Sequence, residues 1–308
     1  MFSWHAGWIR LAGIVLTIKG AKMLNQTDEH DVRDSGIALS QCSLPAFRAI
    51  SWSIIIPFHN ESDYLPFCLE SLASQTVPAK LILVDNGSTD KSCEIGREVC
   101  DRLGLDACHV SEIRPGKVAA LQRGLSEVTT SYVATCDADT VYPPDYLQTA
   151  ERLLRDRRVV AAVAATSPVG SARWKSRLAG LRLELTAALF KQQCLNGGAG
   201  QIFRTSALRA CGGFNPATWN WVLEDHEIMA RIEGQGKIAY HRDFHCHPAD
   251  RPRETNCNGW VLAEQLRYHF TAGEDRLKFF HEFLAPRLRE RALPSEKLRR
   301  VTGVPAAA

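Results

Sequence analysis

Apolar runs and amphipathic segments alternate along the chain from Ser51 onward. The apolar runs SWSIIIP, KLILVD and SYVATCD are short and contain β-branched residues, which indicates buried strands. The segments between them carry apolar residues three or four positions apart, as at Leu65, Leu69 and Leu72, which is typical of helices packed by one face. Buried strands that alternate with helices predict an α/β protein with a mostly parallel sheet covered on both faces.

The second half of the chain is less regular. One strand is predicted at residues 159–166 and another at KIAYH, and EDHEIMARIEGQG predicts a helix closed by glycine. A longer helix is predicted for SARWKSRLAGLRLELTAALFKQQ, because five apolar residues recur there at helical spacing. These residues are Trp174, Leu178, Leu181, Leu185 and Leu189.

Polar side chains follow three of the predicted strands, in the stretches PFHN, DNGS and DAD. In a parallel sheet, ligands bind beyond the carboxyl ends of the strands. Asp137 and Asp139 are two positions apart, so in an extended segment both carboxylates point to one side, where they repel each other unless a cation lies between them. The alternative is a turn, because Asp favours turns and Pro143 and Pro144 follow.

Composition narrows the classes of function. The chain has 308 residues, 45% of them hydrophobic and 23% charged, as in a soluble globular enzyme with one large α/β domain or two modest ones. The net charge of +3 is too small to indicate a nucleic-acid partner. The ten cysteines form no CxxC pair, and several, such as Cys68, Cys93 and Cys136, lie in apolar stretches. We therefore expect reduced core cysteines and a cytoplasmic protein.

Six stretches follow one another in a fixed order: SIIIPFHNESDYLPFCLESLASQ, LILVDNGSTDKS, RPGKVAALQRGL, YVATCDADTVYPPDYL, GGAGQIFRTSALRACGGF and LEDHEIMARI. In this order and spacing, roughly from Ser51 to His247, the chain resembles the family 2 glycosyltransferases. The resemblance implies a GT-A fold, with a Rossmann-like, mostly parallel sheet flanked by helices in a single catalytic domain. It also implies an inverting enzyme of polysaccharide or glycolipid biosynthesis. Such an enzyme moves a sugar from a nucleotide diphosphate sugar, with a UDP-sugar favoured, to a hydroxyl of a glycan, lipid or small molecule.

The resemblance also implies roles for individual residues. Asp139 is expected to bind Mn²⁺ or Mg²⁺, and Asp137 is expected to contact the ribose or to share the metal. Asp85 would accept hydrogen bonds from the base, and Lys117 would lie near the nucleotide or its phosphates. The full set expected around the nucleotide is Pro57, Asn60, Asp85, Lys117 and Asp137. Oxygen ligands at this site suit a hard divalent cation that neutralises a departing diphosphate.

A second cluster is implied to deprotonate the acceptor. Asp225 matches the position of the family's general base, and Glu224 lies beside it at a helix start, where acids also stabilise the helix electrostatically. His247 is the expected third metal ligand, with His245 as the second choice. Loop histidines with no metal are the alternative, and a zinc site with Cys246 or Cys257 matches no standard spacing.

Two departures from the family pattern limit the function. Asn86 follows Asp85 where many relatives have two acids, so one carboxylate is expected there. The stretch EQLRY differs at both ends from the QxxRW motif of processive synthases, so polymer synthesis is not expected. Two other functions agree less well with the sequence. A sugar-1-phosphate nucleotidyltransferase needs a GxGTR-type loop that PFHNES lacks, and the presence of Asp139 and Asp225 argues against a catalytically silent nucleotide-sugar-binding protein.

Three regions are predicted along the chain. Residues 1–50 form an N-terminal extension and linker, the linker being predicted from the acidic stretch TDEHDVRDSG. The apolar stretch from Gly7 to Ile18 is too short to cross a bilayer and contains Arg10, so a surface helix is predicted there, with an uncleaved signal-like or interfacial helix as the alternative. Residues 51–250 form the catalytic domain, with the nucleotide-binding half at 51–140 and the acceptor half at 141–250. Residues 251–308 form a basic helical extension.

The C-terminal extension suggests peripheral association with the inner face of a membrane. Its apolar residues are Phe279, Phe280, Phe283, Leu284 and Leu288, and its basic residues are Arg287, Arg289, Arg291, Lys297, Arg299 and Arg300. A basic amphipathic segment of this kind binds anionic lipid without spanning the bilayer. The alternative is that the phenylalanines pack on the catalytic domain and the arginines are solvated.

Overall fold

The computed structural model describes residues 51–189, 193–250 and 260–296. The predictions for residues 1–50, Cys257 and the last basic residues lie outside the described residues. The first half contains β1 (Trp52–Phe58), α1 (Leu65–Ala73), β2 (Ala79–Asp85), α2 (Ser92–Leu103), β3 (Ala107–Ser111), α3 (Lys117–Ser126) and β4 (Tyr132–Cys136). Each strand predicted in this half is therefore present.

The second half begins with β5 (Thr140–Val141), α4 (Tyr146–Leu154), β6 (Val159–Val163), β7 (Ala165–Thr166), α5 (Arg173–Leu189), β8 (Gly200–Arg204) and α6 (Thr205–Ala210). It continues with α7 (Glu224–Ile232), β9 (Lys237–Ala239), β10 (His245–Pro248), α8 (Leu262–Phe270), α9 (Arg276–Lys278), a π-helical turn at Phe279–Leu284 and α10 (Ala285–Glu290). The strand predicted at residues 159–166 is two strands, because the chain leaves the large sheet after Val163 and joins a small one at Ala165.

The large sheet has the order β3-β2-β1-β4-β8-β6-β9. Strands β3, β2, β1 and β4 are parallel, and only β8 runs antiparallel to its neighbours, β4 and β6. A small sheet has the order β5-β10-β7. The predicted α/β fold with a mostly parallel sheet is thus confirmed.

Helices cover both faces of the large sheet because its strands are apolar on both sides. Ile54 and Ile56 of β1 pack with residues of α1, α2 and α4, whereas Ile55 packs on the opposite face with α3, α6 and α7. Helix α3 lies so close to the sheet that a Cβ atom at Gly124 would lie 2.4 Å from Cγ2 of Ile55. This close packing fixes the start of α3, where Lys117 stands.

The C-terminal segment corrects one prediction. Phe279, Phe280, Leu284 and Leu288 are buried in a third apolar cluster, which also contains Trp219. Phe283 is partly buried and packs against this cluster. The apolar side chains predicted to face lipid therefore face the protein, as in the alternative that they pack on the catalytic domain. The prediction that they bind a membrane is wrong. Among the described residues, no helix is long and apolar enough to cross a membrane.

Helix α5 forms where it was predicted, but its apolar spacing does not mark its buried face. Ser176 and Gly180 are its buried residues, whereas Trp174, Leu178 and Leu185 are exposed. The reason is close packing, because a Cβ atom at Gly180 would lie 2.4 Å from the carbonyl oxygen of Arg242. Small residues therefore lie at the closest contacts with the domain, Leu181 and Leu183 are half-buried, and the other large apolar residues face outward.

Candidate active site

The predicted nucleotide-site residues lie at one edge of the large sheet. Phe58 at the end of β1 pairs with Asp85 at the end of β2, and β4, which precedes Asp137, is the other neighbour of β1. Because these three strands are parallel, their carboxyl ends meet at this edge. Pro57 is the last residue but one of β1 and so lies toward the same edge.

Asn60 ties the loop after β1 to the loop after β2. Its backbone has a φ of 55°, a left-handed conformation that Asn tolerates, and its Oδ1 accepts a hydrogen bond from the backbone N–H of Thr89 at 2.7 Å. The N–H of Asn60 donates to Oγ of Ser88 at 3.1 Å, and the N–H of Ser88 donates to Oδ1 of Asp85 at 2.8 Å. These bonds fix the two loops that bear Asn60 and Asp85.

Asn86 is a structural residue that the sequence analysis noted only as a departure from the family pattern. It is 5% exposed, and its Nδ2 donates to the carbonyl oxygens of Glu112 at 3.0 Å and Arg114 at 2.8 Å. Its Oδ1 accepts from the N–H of Gly116 at 2.8 Å. An aspartate could accept but could not donate, so the amide is needed to hold the loop that leads into Lys117.

Lys117 lies in a cluster of carboxylates between α3 and α7. Its Nζ is 2.8 Å from Oδ1 of Asp137 and 3.4 Å from Oε1 of Glu224. Burial raises the pKa of Asp137, and the charge of Asp139 raises it further, so the pKa stays above its ordinary value even though the Lys117 ammonium opposes the rise. Burial likewise raises the pKa of Glu224. Among the described residues, these carboxylates outnumber the ammonium groups that contact them, which leaves a deficit of positive charge.

Asp225 is held in a defined orientation by its neighbour. Its Oδ1 accepts hydrogen bonds from the backbone N–H of His226 at 2.8 Å and from Nδ1 of the same residue at 2.9 Å. Burial alone would raise the pKa of Asp225, but the His226 imidazole and the Lys117 ammonium lower it to about 2. The imidazole packs edge-on against Trp260 and Tyr268, with ring centroids 5.4 Å and 5.9 Å away. Asp225 is thus an oriented, ionised carboxylate at neutral pH.

A glycine pair lies directly against Asp225. A Cβ atom at Gly197 would be 3.1 Å from Oδ2 of Asp225, and one at Gly198 would be 3.1 Å from its Cβ and 3.4 Å from Nζ of Lys117. The loop between α5 and β8 can approach the carboxylate this closely because it carries no side chain there. The missing side chains at Gly197 and Gly198 therefore leave space beside Oδ2 of Asp225.

His247 lies on the strand beside the Asp137–Asp139 motif. It pairs with Val141, and two residues further on the N–H of Ala249 donates to the carbonyl oxygen of Asp139 at 2.8 Å. Its Nδ1 lies 3.0 Å from Oγ and 3.2 Å from the carbonyl oxygen of Ser167. His245 lies next to it, with ring centroids 5.2 Å apart. Within the described ranges, no three His, Cys, Asp or Glu side chains are grouped as a metal site.

Sequence reasoning missed several residues that shape the site. His226 orients Asp225, and Gln201 donates from Nε2 to the carbonyl oxygen of Asp225 at 3.0 Å. The N–H of Asp137 donates to the hydroxyl of Tyr142 at 2.9 Å, and that hydroxyl in turn donates to the carbonyl oxygen of Ala199. Only the role of His226 had a signal in the sequence, because it directly follows the acids Glu224 and Asp225. The contacts of Gln201 and Tyr142 depend on the tertiary fold.

The sequence motifs and this geometry agree with the family comparisons. A family model described as Glycosyl transferase family 2 matches residues 53–212, slightly more than half of the chain. The chain belongs to glycosyl transferase family 2. The match spans β1 to α6 and so contains Asp85, Lys117 and both aspartates of the motif, while Asp225 lies beyond it.

Two curated relatives illustrate the range of the family. The succinoglycan biosynthesis protein ExoA of Rhizobium meliloti is 27% identical over 207 residues, which cover 64% of this chain and 54% of ExoA. The undecaprenyl-phosphate 4-deoxy-4-formamido-L-arabinose transferase of Edwardsiella ictaluri is 34% identical over 109 residues, which cover 32% of each protein. The chain thus spans about half or less of the length of these relatives.

A solved structure gives the same fold. The mannosyltransferase PcManGT from Pyrobaculum calidifontis, in complex with GDP-Man and Mn²⁺, matches with a TM-score of 0.61 and 21% identity. The match covers 83% of this chain and 76% of PcManGT. The predicted GT-A fold is therefore confirmed.

Proposed function

We propose that this protein is a metal-dependent inverting glycosyltransferase that moves a sugar from a nucleotide diphosphate sugar to an acceptor hydroxyl. The observation that carries the proposal is the excess of carboxylates at the end of β4. Asp137, Glu224 and Asp225 act on the Lys117 ammonium, and the charge of Asp139 acts on Asp137. Carboxylates so arranged repel a diphosphate unless a further cation binds, and a divalent metal supplies it.

The residues present suit Mn²⁺ or Mg²⁺. Asp139 would hold the metal and Asp137 would share it, because such ions are commonly bound by one or two carboxylates together with phosphate oxygens of the substrate. When bound, the metal would neutralise the charge on the departing diphosphate. His247 would supply Nε2 as a further ligand, because Ser167 engages Nδ1. The presence of Mn²⁺ in PcManGT supports this choice of metal.

The nucleotide would occupy the sheet edge next to this metal. Pro57 and Asn60 would line its pocket, and Asp85 would accept a hydrogen bond from the base. Gly87 has a φ of 73° and no side chain, so the backbone can approach the nucleotide there. Lys117, at the start of α3, would balance the charge of the phosphates and hold the carboxylates of Asp137 and Glu224 in place.

Asp225 would act as the general base. As the acceptor oxygen bonds to the anomeric carbon, its proton passes to Oδ2 of Asp225, and the bond from that carbon to the phosphate oxygen breaks. The bonding electrons leave with the nucleoside diphosphate, and the attack from the opposite face inverts the anomeric centre. Asp225 is ionised at neutral pH and so needs no prior deprotonation, and His226 holds the carboxylate in place.

The acceptor and the cellular location are proposals of the same kind. The name of one relative includes undecaprenyl phosphate, and that of another includes succinoglycan, which supports a glycan or a lipid-linked acceptor. A cytoplasmic location is supported by eight free cysteines among the described residues, five of them buried. A UDP-sugar remains the favoured donor from the sequence, although the PcManGT complex contains GDP-Man.

Donor binding and transfer together test this proposal. We expect UDP-sugars or GDP-Man with Mn²⁺ to raise Tm by about 5–10 °C at about 100 times Kd. Chelation of the metal should remove most of this rise. Release of nucleoside diphosphate in the presence of an acceptor then separates an enzyme from a silent binding protein. No stabilisation by any nucleotide sugar, with or without metal, would contradict the proposal.

A further inference from the structure

Helix α5 presents a continuous apolar stripe to solvent. Trp174, Leu178, Leu185 and Leu189 follow one another at intervals of four, seven and four residues, so they share one face of the helix. Trp174 is 64% exposed, Leu185 60% and Leu189 81%. Contiguous apolar patches of this kind mark sites that bind a protein, a ligand or a lipid surface.

The stripe contributes nothing to the core of the domain. Only Ser176 and Gly180 of α5 are buried, and Gly180 lies against the backbone of Arg242. Four large apolar side chains therefore lie on the outside of the helix, whereas Leu181 and Leu183 are half-buried. Leucine to glutamate changes on the outer face would keep the helix propensity and leave the core intact.

Basic residues flank the stripe. Arg173, Lys175, Arg177 and Arg182 lie on the same helix, against the single acid Glu184, whose carboxylate pairs with Arg242. Within residues 51–189, 193–250 and 260–296, ion pairs engage Arg177, through Asp243, but none of the other three basic residues. This face thus combines unpaired positive charge with apolar bulk, including a tryptophan at one end.

The C-terminal end of α8 adds a second apolar surface nearby. Phe270 is 81% exposed, and the side chain of Gln193 donates to the carbonyl oxygen of His269 next to it at 2.9 Å. Gln193 follows Leu189 by only four residues, which span at most about 14 Å. The exposed ends of the two helices are therefore close enough to share one interface.

We propose that the outer face of α5, with Phe270 at its end, docks the protein on an anionic lipid surface. Apolar side chains that enter the headgroup region, a tryptophan at the interface and lysine or arginine beside them are the features of an interfacial helix. The charge favours this occupant over a second copy of the chain, because two such faces would bring basic residues against each other. The docking is peripheral and involves no span.

The surface lies beside the candidate site. Ser176 on the inner face of α5 hydrogen-bonds to Ser167 at 2.9 Å, and Ser167 contacts His247 at 3.0 Å. If the proposed function holds, a lipid-linked acceptor in the bilayer would thus approach the site from the docked side. The docking itself does not depend on the enzyme activity, so binding can be measured with no donor present.

Co-sedimentation of the full chain with vesicles tests the proposal. We expect binding to vesicles of phosphatidylglycerol and phosphatidylcholine, but little to phosphatidylcholine alone. Binding should weaken between about 0.1 M and about 1 M NaCl, as the screening length falls from ~10 Å to ~3 Å. The double variant Leu178→Glu/Leu185→Glu should bind about 25-fold more weakly or worse, at about fivefold for each added charge.

A matched control uses two exposed apolar residues on other helices, Phe67 and Leu277. The variant Phe67→Glu/Leu277→Glu carries the same charge change and should bind within about twofold of the parent. Brominated lipid chains should quench part of the tryptophan fluorescence, and Trp174→Phe should lose that part.

Three results would overturn the docking proposal. One is the absence of binding to anionic vesicles at low salt by a folded protein. Another is equal loss of binding in the α5 variant and in the Phe67/Leu277 control. The third is a dimer that the α5 variant dissociates, which would assign the stripe to a second copy of the chain. Loss of transfer with intact vesicle binding would instead count against the proposed function alone.

Discussion

Replacing Asn86 by aspartate should destabilise the protein although the two side chains have the same shape. The amide donates to two backbone carbonyls, of Glu112 and Arg114, and accepts from the N–H of Gly116. A carboxylate keeps the acceptor but turns both donated bonds into oxygen–oxygen contacts in a buried place. At about 1–3 kcal/mol for each buried group left unsatisfied, the loss in the free energy of unfolding is about 2–6 kcal/mol at pH 7.

The effect should also depend on pH. Burial next to carbonyl oxygens raises the pKa of the introduced carboxyl above its unfolded value of about 3.9, so the loss is smallest below that pH and grows as pH rises. Urea denaturation at several pH values measures this. Asn215→Asp is the control, since Oδ1 of Asn215 accepts from the N–H of Ala217 and a carboxylate can do the same. A change below about 0.5 kcal/mol for Asn86→Asp at pH 7 would refute the reasoning.

Three further predictions concern the site itself. Asp139→Ala should lose the Mn²⁺-dependent part of donor binding in titration calorimetry. The control Asp106→Ala, which replaces an exposed residue, should keep it. Normal metal dependence of donor binding in Asp139→Ala would show that Asp139 is not a metal ligand. His226→Phe should lower kcat by about 10–100-fold with little change in donor KM. The acid limb of its pH–rate profile should move to higher pH, because the imidazole no longer lowers the pKa of Asp225. An unchanged profile would show that the imidazole only packs against its neighbours. Gly198→Ala should slow turnover by about tenfold, because its Cβ would lie 3.1 Å from the Cβ of Asp225. In the control Gly234→Ala the new Cβ meets nothing within 4 Å, so turnover should not change. Equal turnover in the two variants would show that the loop moves to accept the added methyl group without displacing Asp225.

The sequence was sufficient for the sheet and for the gathering of polar groups at its edge. Strands such as β1 and β4 are mostly apolar runs, which are typical of strands covered by helices on both faces in a mostly parallel sheet. Because the carboxyl ends of parallel strands lie at the same edge of a sheet, the sequence predicts Asp85 and Asp137 at one edge. The sheet and the polar groups at its edge both follow from the local pattern of apolar and polar residues, so they could be predicted from the sequence.

Features that depend on packing between distant segments were not predicted. Residues 159–165 are apolar throughout, so nothing local shows that β6 and β7 enter different sheets. Helical spacing in α5 reveals a stripe but not which side of it meets the domain. Phe279 and Phe280 look alike in a lipid-binding helix and in a core, and only their contacts with Trp260, Trp219 and Tyr268 decide. The role of His226 likewise requires Asp225 to be fixed in space.

The measurement that tests the central proposal most directly compares Asp225→Asn with Glu224→Gln under saturating donor, acceptor and Mn²⁺. Removal of the general base should lower kcat of Asp225→Asn by about 10²–10⁴-fold while the donor Kd, measured separately, stays within about threefold. Glu224→Gln should retain much more activity, because its carboxylate faces Lys117. Turnover of Asp225→Asn at the parent rate, or a collapse of turnover in Glu224→Gln alone, would contradict the assignment of Asp225 as the base.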